Sequence, residues 1–147
     1  MAHEDAGKYT AKHPPETTLN EQIAEAIRKK SPGRTLLCAR GEEIARELRV
    51  GIAEVGVTAD LLEMKIKECQ LGLFGWGDKP NHGKDIPVTK TVSTELQSAL
   101  EKASLDGRVN CAALWQIADR FGAERRMVSA ACEALGLKIR SCQLGTF

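Results

Sequence analysis

The residues of this chain that could do soft-metal or redox chemistry are cysteines, and four of them form two pairs with the same spacing. The pairs are Cys38 with Cys69 and Cys111 with Cys142. Two thiols that face each other across adjacent strands could ligate a soft metal ion or be oxidised. However, the chain has no Cys-x-x-Cys motif, and its three histidines, His3, His13 and His82, lie outside the segments that hold these cysteines. We therefore interpret the cysteines as reduced, buried packing residues, with metal or redox sensing as the alternative.

Phosphate-binding and catalytic motifs are the next chemistry to consider. The stretch from Gly77 to Gly83 precedes Lys84, as in a phosphate-binding loop, but it has the wrong spacing, and Asp85 replaces the required Ser or Thr. No constellation of nucleophile and base is evident either. We therefore expect a protein that is not an enzyme and that has no cofactor.

Two clusters of basic residues could bind phosphate groups. One holds Arg28, Lys29 and Lys30, and the other holds Arg125 and Arg126, with Ser129 close behind. The first cluster could equally be favourable charge at the C-terminus of a helix. The arginines could be solvated or paired with a nearby carboxylate. Because the net charge is only +1, a polyanion would have to bind a local patch rather than the whole surface.

These candidate residues lie in a chain that repeats itself. Residues 38 to 74 match residues 111 to 147 without a gap, with thirteen identities in 37 positions, and KIKECQLGLF in the first copy becomes KIRSCQLGTF in the second. The duplication predicts a flexible tail (1–19), a first unit (20–74), a Gly/Pro-rich linker (75–91) and a second unit (92–147). Units this small are at the lower limit for independent folding, so we expect the two repeats to pack on each other.

Helical periodicity predicts three helices in each copy. In the first copy they cover residues 20–30, 42–48 and about 52–63, and in the second copy 92–102, 115–121 and about 124–135. Short strands are expected at 35–39 and 108–112, and again in the KI stretches, with a twist or bulge near Glu68. Left-handed backbone conformations are expected at Gly122, at Gly136 and, with some strain, at Arg49.

The strings EIARELRVGIAEVGVTADLL and QIADRFGAERRMVSAACEALG resemble the helix-turn-helix pattern. They share an Ile-Ala pair, a following apolar residue, a turn, a Val in the next helix and a closing Leu. With a strand before and after, each unit resembles a winged helix-turn-helix domain. The expected fold is therefore mainly α with short β-strands, in two tandem winged-helix-like units.

The resemblance implies binding of double-stranded DNA through the exposed face of the third helix. In copy two, Arg125 and Arg126 could reach bases and Ser129 a phosphate, and Arg28, Lys29 and Lys30 could add phosphate contacts. The third helix of copy one is acidic, so we expect copy one to serve assembly, for which a homodimer is one option. The hypothesis is a DNA-binding transcriptional regulator, and the rival is a protein-interaction or assembly module that does not bind DNA.

Three aromatic residues are candidates for an interface. Trp115 takes the place of Glu42 in copy one, and if that place is outward it predicts a contact between the copies or between subunits. Phe74 and Phe147 each follow a repeated Gln-Leu-Gly and are expected to fill the core or the seam between copies. The sequence has no long apolar run and no signal peptide, which predicts a cytoplasmic protein that does not enter a membrane.

Overall fold

The computed structural model describes residues 8–77 and 83–147. A 3₁₀ turn (Tyr9–Lys12) comes first. The first copy then contains α1 (Glu21–Lys30), β1 (Thr35–Leu37), α2 (Cys38–Leu48), α3 (Ile52–Leu61) and β2 (Lys65–Lys67). The second copy contains α4 (Thr94–Ala103), β3 (Arg108–Asn110), α5 (Cys111–Phe121), α6 (Arg125–Ala134) and β4 (Lys138–Arg140), each 73 positions after its counterpart. The expectation of a mainly helical fold with short strands is confirmed.

The first helix of each copy is fixed by a side-chain cap and an apolar stripe. The Asn20 side chain accepts a hydrogen bond from the Ile23 backbone N–H, and the Ser93 side chain accepts one from Leu96. The inward residues Ile27 and Leu100 are fully buried. The second helices begin four residues before their predicted starts, at Cys38 and Cys111, directly after the strands.

Left-handed residues end the elements at equivalent places in both copies. The predicted positions Arg49, Gly122 and Gly136 have φ of 55°, 61° and 72°. The bend predicted near Glu68 is also present, since Glu68 and its equivalent Ser141 have φ of 50° and 56°. A tight three-residue turn thus joins each second helix to the third helix.

The strands form two parallel ladders. Strand β1 pairs with β2, with Leu36 opposite Ile66, and β3 pairs with β4, with Val109 opposite Ile139. Each sheet has two strands, and within the described residues no antiparallel hairpin follows either third helix. The wing of the predicted winged-helix units is therefore not seen in this part of the chain.

The chain divides into two compact units, whose boundaries differ from the 20–74 and 92–147 boundaries predicted from the repeat. Unit 1 extends to Cys69 and includes Gln143–Phe147, whereas unit 2 comprises Gln70–Cys142. The left-handed Glu68 and Ser141 turn the chain out of β2 and β4 immediately before these boundaries. Each Gln-Leu-Gly phrase is thus grouped with the helices of the other copy, and its leucine, Leu71 or Leu144, is buried.

Each unit has its own apolar core. In unit 1 the fully buried side chains include Ile23, Ile27, Leu36, Ile44 and Val55. In unit 2 they include Leu71, Leu100, Val109, Leu114 and Val128. Among the described residues, no helix has the length and apolar character needed to cross a bilayer.

The predicted flexible tail is anchored from its eighth residue onward, while residues 1–7 lie outside the described residues. Tyr9 is buried, and the backbone N–H groups of Tyr9 and Thr10 each donate to the Glu63 carboxylate at 2.9 Å. The Thr10 hydroxyl donates to the same carboxylate at 2.6 Å. The turn at Tyr9–Lys12 is therefore part of unit 1, which corrects the expectation of a mobile tail for residues 8–13.

Acid should release this turn. The hydrogen bonds from the Thr10 side chain and from the Thr10 and Tyr9 backbone lower the pKa of Glu63 from its ordinary value of 4.5. A lowered carboxyl pKa gives stability that is fully present above the ordinary value and is lost as the pH falls through the folded pKa. We expect the Thr10 amide, followed by NMR hydrogen exchange, to lose protection as the pH falls below 4.5, the ordinary pKa of a glutamate side chain. Glu63→Gln should show low protection at every pH, and a wild-type amide that stays protected in acid would contradict this assignment.

The predicted linker also contributes to unit 2 where it is described, although residues 78–82 lie outside that description. The Asp85 backbone N–H donates to the Gly72 carbonyl at 2.7 Å, and the Trp76 N–H donates to the Gly83 carbonyl at 3.2 Å. A Cβ at Gly72 would lie 2.4 Å from the Asp85 carbonyl oxygen, so this close approach requires glycine.

Candidate functional site

The first candidate surface is the third helix of unit 2, α6, where DNA contacts were predicted. Ser129 is fully buried, and its hydroxyl lies 3.4 Å from the Arg125 carbonyl oxygen, which accepts its hydrogen bond. A serine in this position is not placed to contact a phosphate.

Arg125 is held inside unit 2. Its guanidinium lies 3.9 Å from the centre of the Trp115 ring, which is a close cation–π contact. The side chain is only 16% exposed and also approaches the Asp119 carboxylate at 3.8 Å. Most of its charge is therefore directed at groups of its own unit.

Arg126 is bound by the linker segment. It forms an ion pair with the Asp85 carboxylate and lies 5.7 Å from the centre of the Trp76 ring. About two turns later on the same helix, Glu133 pairs with Lys84 at 3.2 Å. The described part of the linker thus pairs with two charged side chains of α6.

The third helix of unit 1, α3, is covered in the same way. The buried Asp60 carboxylate pairs with Lys12 at 3.1 Å and lies 2.8 Å from His13 Nε2. Asp60 and Glu133 occupy the same position in the repeat, and each binds a lysine from the segment that precedes its copy. Both third helices therefore carry an acidic side chain that is paired with the segment preceding their copy.

The predicted cluster at the end of α1 is partly neutralised. Lys30 pairs with Glu43 at 2.9 Å and with Glu47 at 3.3 Å, and the hydrogen bond to Glu43 is the main reason that the pKa of Lys30 is raised. Lys29 lies 3.5 Å from the Glu25 carboxylate, whereas Arg28 is exposed. A favourable helix terminus with local ion pairs accounts for this cluster.

A different basic surface lies on the outer face of the β3–β4 ladder, and the sequence reasoning missed it. Val109 and Ile139 turn inward, so Arg108, Lys138 and Arg140, together with Asn110, form the exposed face. Arg108 lies directly opposite Lys138. Within the described residues, none of these three cations has a carboxylate partner. We call Arg108, Asn110, Lys138 and Arg140 the β3–β4 face.

The corresponding face of unit 1 is less basic. There Thr35 lies opposite Lys65, and Leu37 lies opposite Lys67. This face therefore has two cations where the β3–β4 face has three, and it has Leu37 at the position of Asn110. In both RVN and KIR a polar residue stands on each side of an apolar one, which predicts that the polar side chains of each strand lie on one exposed face. Only the parallel pairing shows that the two strands share that face.

The four paired cysteines differ in how deeply they are buried. Cys38, Cys69 and Cys111 are buried thiols, and Cys142 is partly exposed. No group of three or more potential metal ligands occurs among residues 8–77 and 83–147. The fifth thiol, Cys132, is fully buried, and burial raises its pKa to about 12, which disfavours the reactive thiolate.

The three predicted interface aromatics differ in their surroundings. Trp115 is buried within unit 2, so its place in the repeat is inward rather than outward. Its Nε1–H has no hydrogen-bond partner among the described residues. Phe147 is 41% exposed and does not fill a core, and Phe74 is half-buried. An interface role for these residues stays a prediction.

The chain gives no significant match to any protein-family model, any curated protein or any solved structure.

Proposed function

We propose that this protein is a non-enzymatic, DNA-binding regulatory protein made of two helix-turn-helix-like units, and that it contacts phosphates through the β3–β4 face. The observation that carries the proposal is the cluster of three exposed cations on that face without carboxylate partners in the described structure. Reduced thiols and the lack of a membrane-spanning helix in the described residues are compatible with a cytoplasmic location.

The energetics of the ladder support an anionic ligand. Like charges directly opposite each other on neighbouring strands destabilise a sheet. Arg108 and Lys138 are such a pair, and Arg140 adds a third positive charge on the same side. A phosphate backbone laid across this face would relieve the repulsion and release counterions. The arginines of α6 then act as packing and positioning residues, because Trp115 and Asp85 already hold them.

The number of cations on the β3–β4 face determines the expected affinity for DNA and its dependence on salt. Each phosphate neutralised on duplex DNA contributes a slope of about −0.9 to the dependence of log affinity on log salt. A face with three cations therefore predicts a slope of roughly −2 to −3 and weak sequence-independent binding, on the order of 10⁻⁴ to 10⁻⁶ M.

The test uses a matched pair of double variants at equivalent positions of the repeat. Lys138→Ala/Arg140→Ala removes two cations from the β3–β4 face, and Lys65→Ala/Lys67→Ala removes two from the corresponding face of unit 1. Binding to a labelled random-sequence duplex at low salt is followed by fluorescence anisotropy. We expect the unit 2 variant to bind about tenfold or more weakly and the unit 1 variant to change by about threefold or less.

Two results would count against the proposal. One is the absence of wild-type binding even at low salt, and the other is an equal loss in both double variants. Arg125→Ala/Arg126→Ala adds a further comparison. If DNA binding depended mainly on these two arginines, α6 rather than the β3–β4 face would be the DNA-contacting surface.

A protein-interaction module is the second candidate function. Phe121 is 39% exposed and Met127 is 42% exposed, and they lie on either side of the turn between α5 and α6. Copy one has Leu48 and Glu54 at these positions, so the apolar pair is specific to unit 2. Phe121→Ser/Met127→Ser should leave DNA binding unchanged, and a loss of self-association in analytical ultracentrifugation would favour this candidate.

A further inference from the structure

Two helical glycines of unit 1 form a seat for the segment Gln143–Phe147. A Cβ at Gly56 of α3 would lie 2.2 Å from the Leu144 carbonyl oxygen. A Cβ at Gly41 of α2 would lie 3.1 Å from both terminal methyl groups of Leu144. We call the surface formed by Gly41 and Gly56 the glycine groove.

The groove holds a specific side chain as well as backbone. Leu144 is only 2% exposed, and the Lys12 ammonium group donates a hydrogen bond to the Gly145 carbonyl at 3.1 Å. Glycine inside a helix lowers stability relative to alanine, so two such residues at the points of contact need a compensating interaction. Burial of Leu144 provides one.

The groove is particular to the first copy. The residues equivalent to Gly41 and Gly56 in copy two are Leu114 and Ser129, which both carry side chains. Glycine therefore occupies both positions in the first copy only. The glycine groove is in unit 1, which also includes the segment Gln143–Phe147 from the second copy.

We propose that the glycine groove is a peptide-docking site that accepts the segment Gln143–Phe147 from a second copy of this chain as well as from its own. An exchanged segment makes the same contacts with Gly41, Gly56 and Lys12 whichever chain supplies it. The chain's own segment has the advantage of a higher effective concentration, because it belongs to the same molecule as the groove. Exchange between copies is therefore expected at high protein concentration or when the chain's own segment is weakened. The left-handed Ser141 and the following Cys142 are the hinge.

Docking is tested with a fluorescein-labelled peptide of the sequence RSCQLGTF and the full-length Leu144→Ala variant, whose groove has lost its own leucine. We expect saturable binding to Leu144→Ala, at least about tenfold tighter than binding to the wild-type chain, where the attached segment competes. Circular dichroism checks that the variant is folded, and Leu144→Val replaces it if it is not.

Two controls decide whether the groove is the site. The Leu144→Ala/Gly56→Val chain should not bind the peptide, because the valine side chain occupies the position of the segment's backbone. A peptide with alanine in place of leucine should not bind the Leu144→Ala chain. Failure of a folded Leu144→Ala chain to bind, or unchanged binding after Gly56→Val, would overturn the docking site.

Exchange is tested by refolding the wild-type chain at increasing concentration and measuring mass by light scattering. We expect a dimer that increases with concentration and that is absent from Gly56→Val. A chain that stays monomeric at every concentration, while the peptide still docks, would overturn exchange between copies. Neither outcome depends on nucleic-acid binding, because the β3–β4 face is unchanged in these variants.

Discussion

Gly56→Val is expected to lower the free energy of unfolding by about 2–4 kcal/mol. The Cβ of the new side chain would lie 2.2 Å from the Leu144 carbonyl oxygen and 2.7 Å from the carbonyl carbon, so the backbone of the segment Gln143–Phe147 would have to move away. Leu144 would then lose its buried position. The helix itself would not be weakened, because valine has a slightly better helix propensity than glycine. Urea denaturation followed by far-UV circular dichroism measures the effect.

Substitutions at other glycines calibrate this result. Gly41→Ala should cost less than Gly56→Val, because its Cβ would meet the flexible end of the Leu144 side chain rather than backbone. Gly33→Ala has open space around the new Cβ and should change stability by less than about 0.5 kcal/mol. If Gly56→Val were as stable as Gly33→Ala, the segment would not be seated as described.

Trp115→Ala is expected to lower the free energy of unfolding by about 3–5 kcal/mol. The Trp115 ring is 7% exposed within unit 2, and the Arg125 guanidinium lies 3.9 Å from its centre. Removing the ring leaves a cavity and removes the cation–π contact from Arg125, whose charge is largely buried. Urea denaturation is again followed by circular dichroism, since the substitution alters the tryptophan fluorescence.

Trp115→Phe tests the contribution of the aromatic ring separately from that of the indole N–H. The indole Nε1–H has no hydrogen-bond partner in the described structure, and an unsatisfied buried donor costs stability. Phenylalanine keeps an aromatic surface for Arg125 and removes that donor, so we expect a change of less than about 1.5 kcal/mol. A large loss in Trp115→Phe or a small one in Trp115→Ala would show that the ring is not a packing centre of unit 2.

The local elements of this protein could be predicted from its sequence because they depend on neighbouring residues. Apolar periodicity located the six helices named above for the described residues, and the repeat offset of 73 positions predicted that each element would recur. The turn positions Gly122 and Gly136 were predicted from the permissive backbone of glycine. The strained Arg49 was predicted from its alignment with Gly122.

The candidate site could not be predicted in the same way because its partners are distant in the chain. From the sequence alone, Arg126 is predicted to be exposed and to contact bases. In the structure it pairs with Asp85, which lies 41 positions earlier in the chain. The acidic Asp60 of α3 suggests an exposed, acidic surface, yet it is buried and bound by Lys12 from a segment predicted to be mobile. Periodicity identifies the face of a helix that turns outward, but it does not show what covers that face.

What the sequence determined by itself is the duplicated order of helices and strands, because hydrophobic period, caps and turn residues act over a few positions. Only the tertiary structure decided which strands pair, and hence that Arg108 and Lys138 face each other across a parallel ladder. It also decided that each Gln-Leu-Gly phrase joins the helices of the other copy. The leucine can be buried in more than one place, and the choice between them depends on shape complementarity, as at Gly41 and Gly56, between residues far apart in the chain.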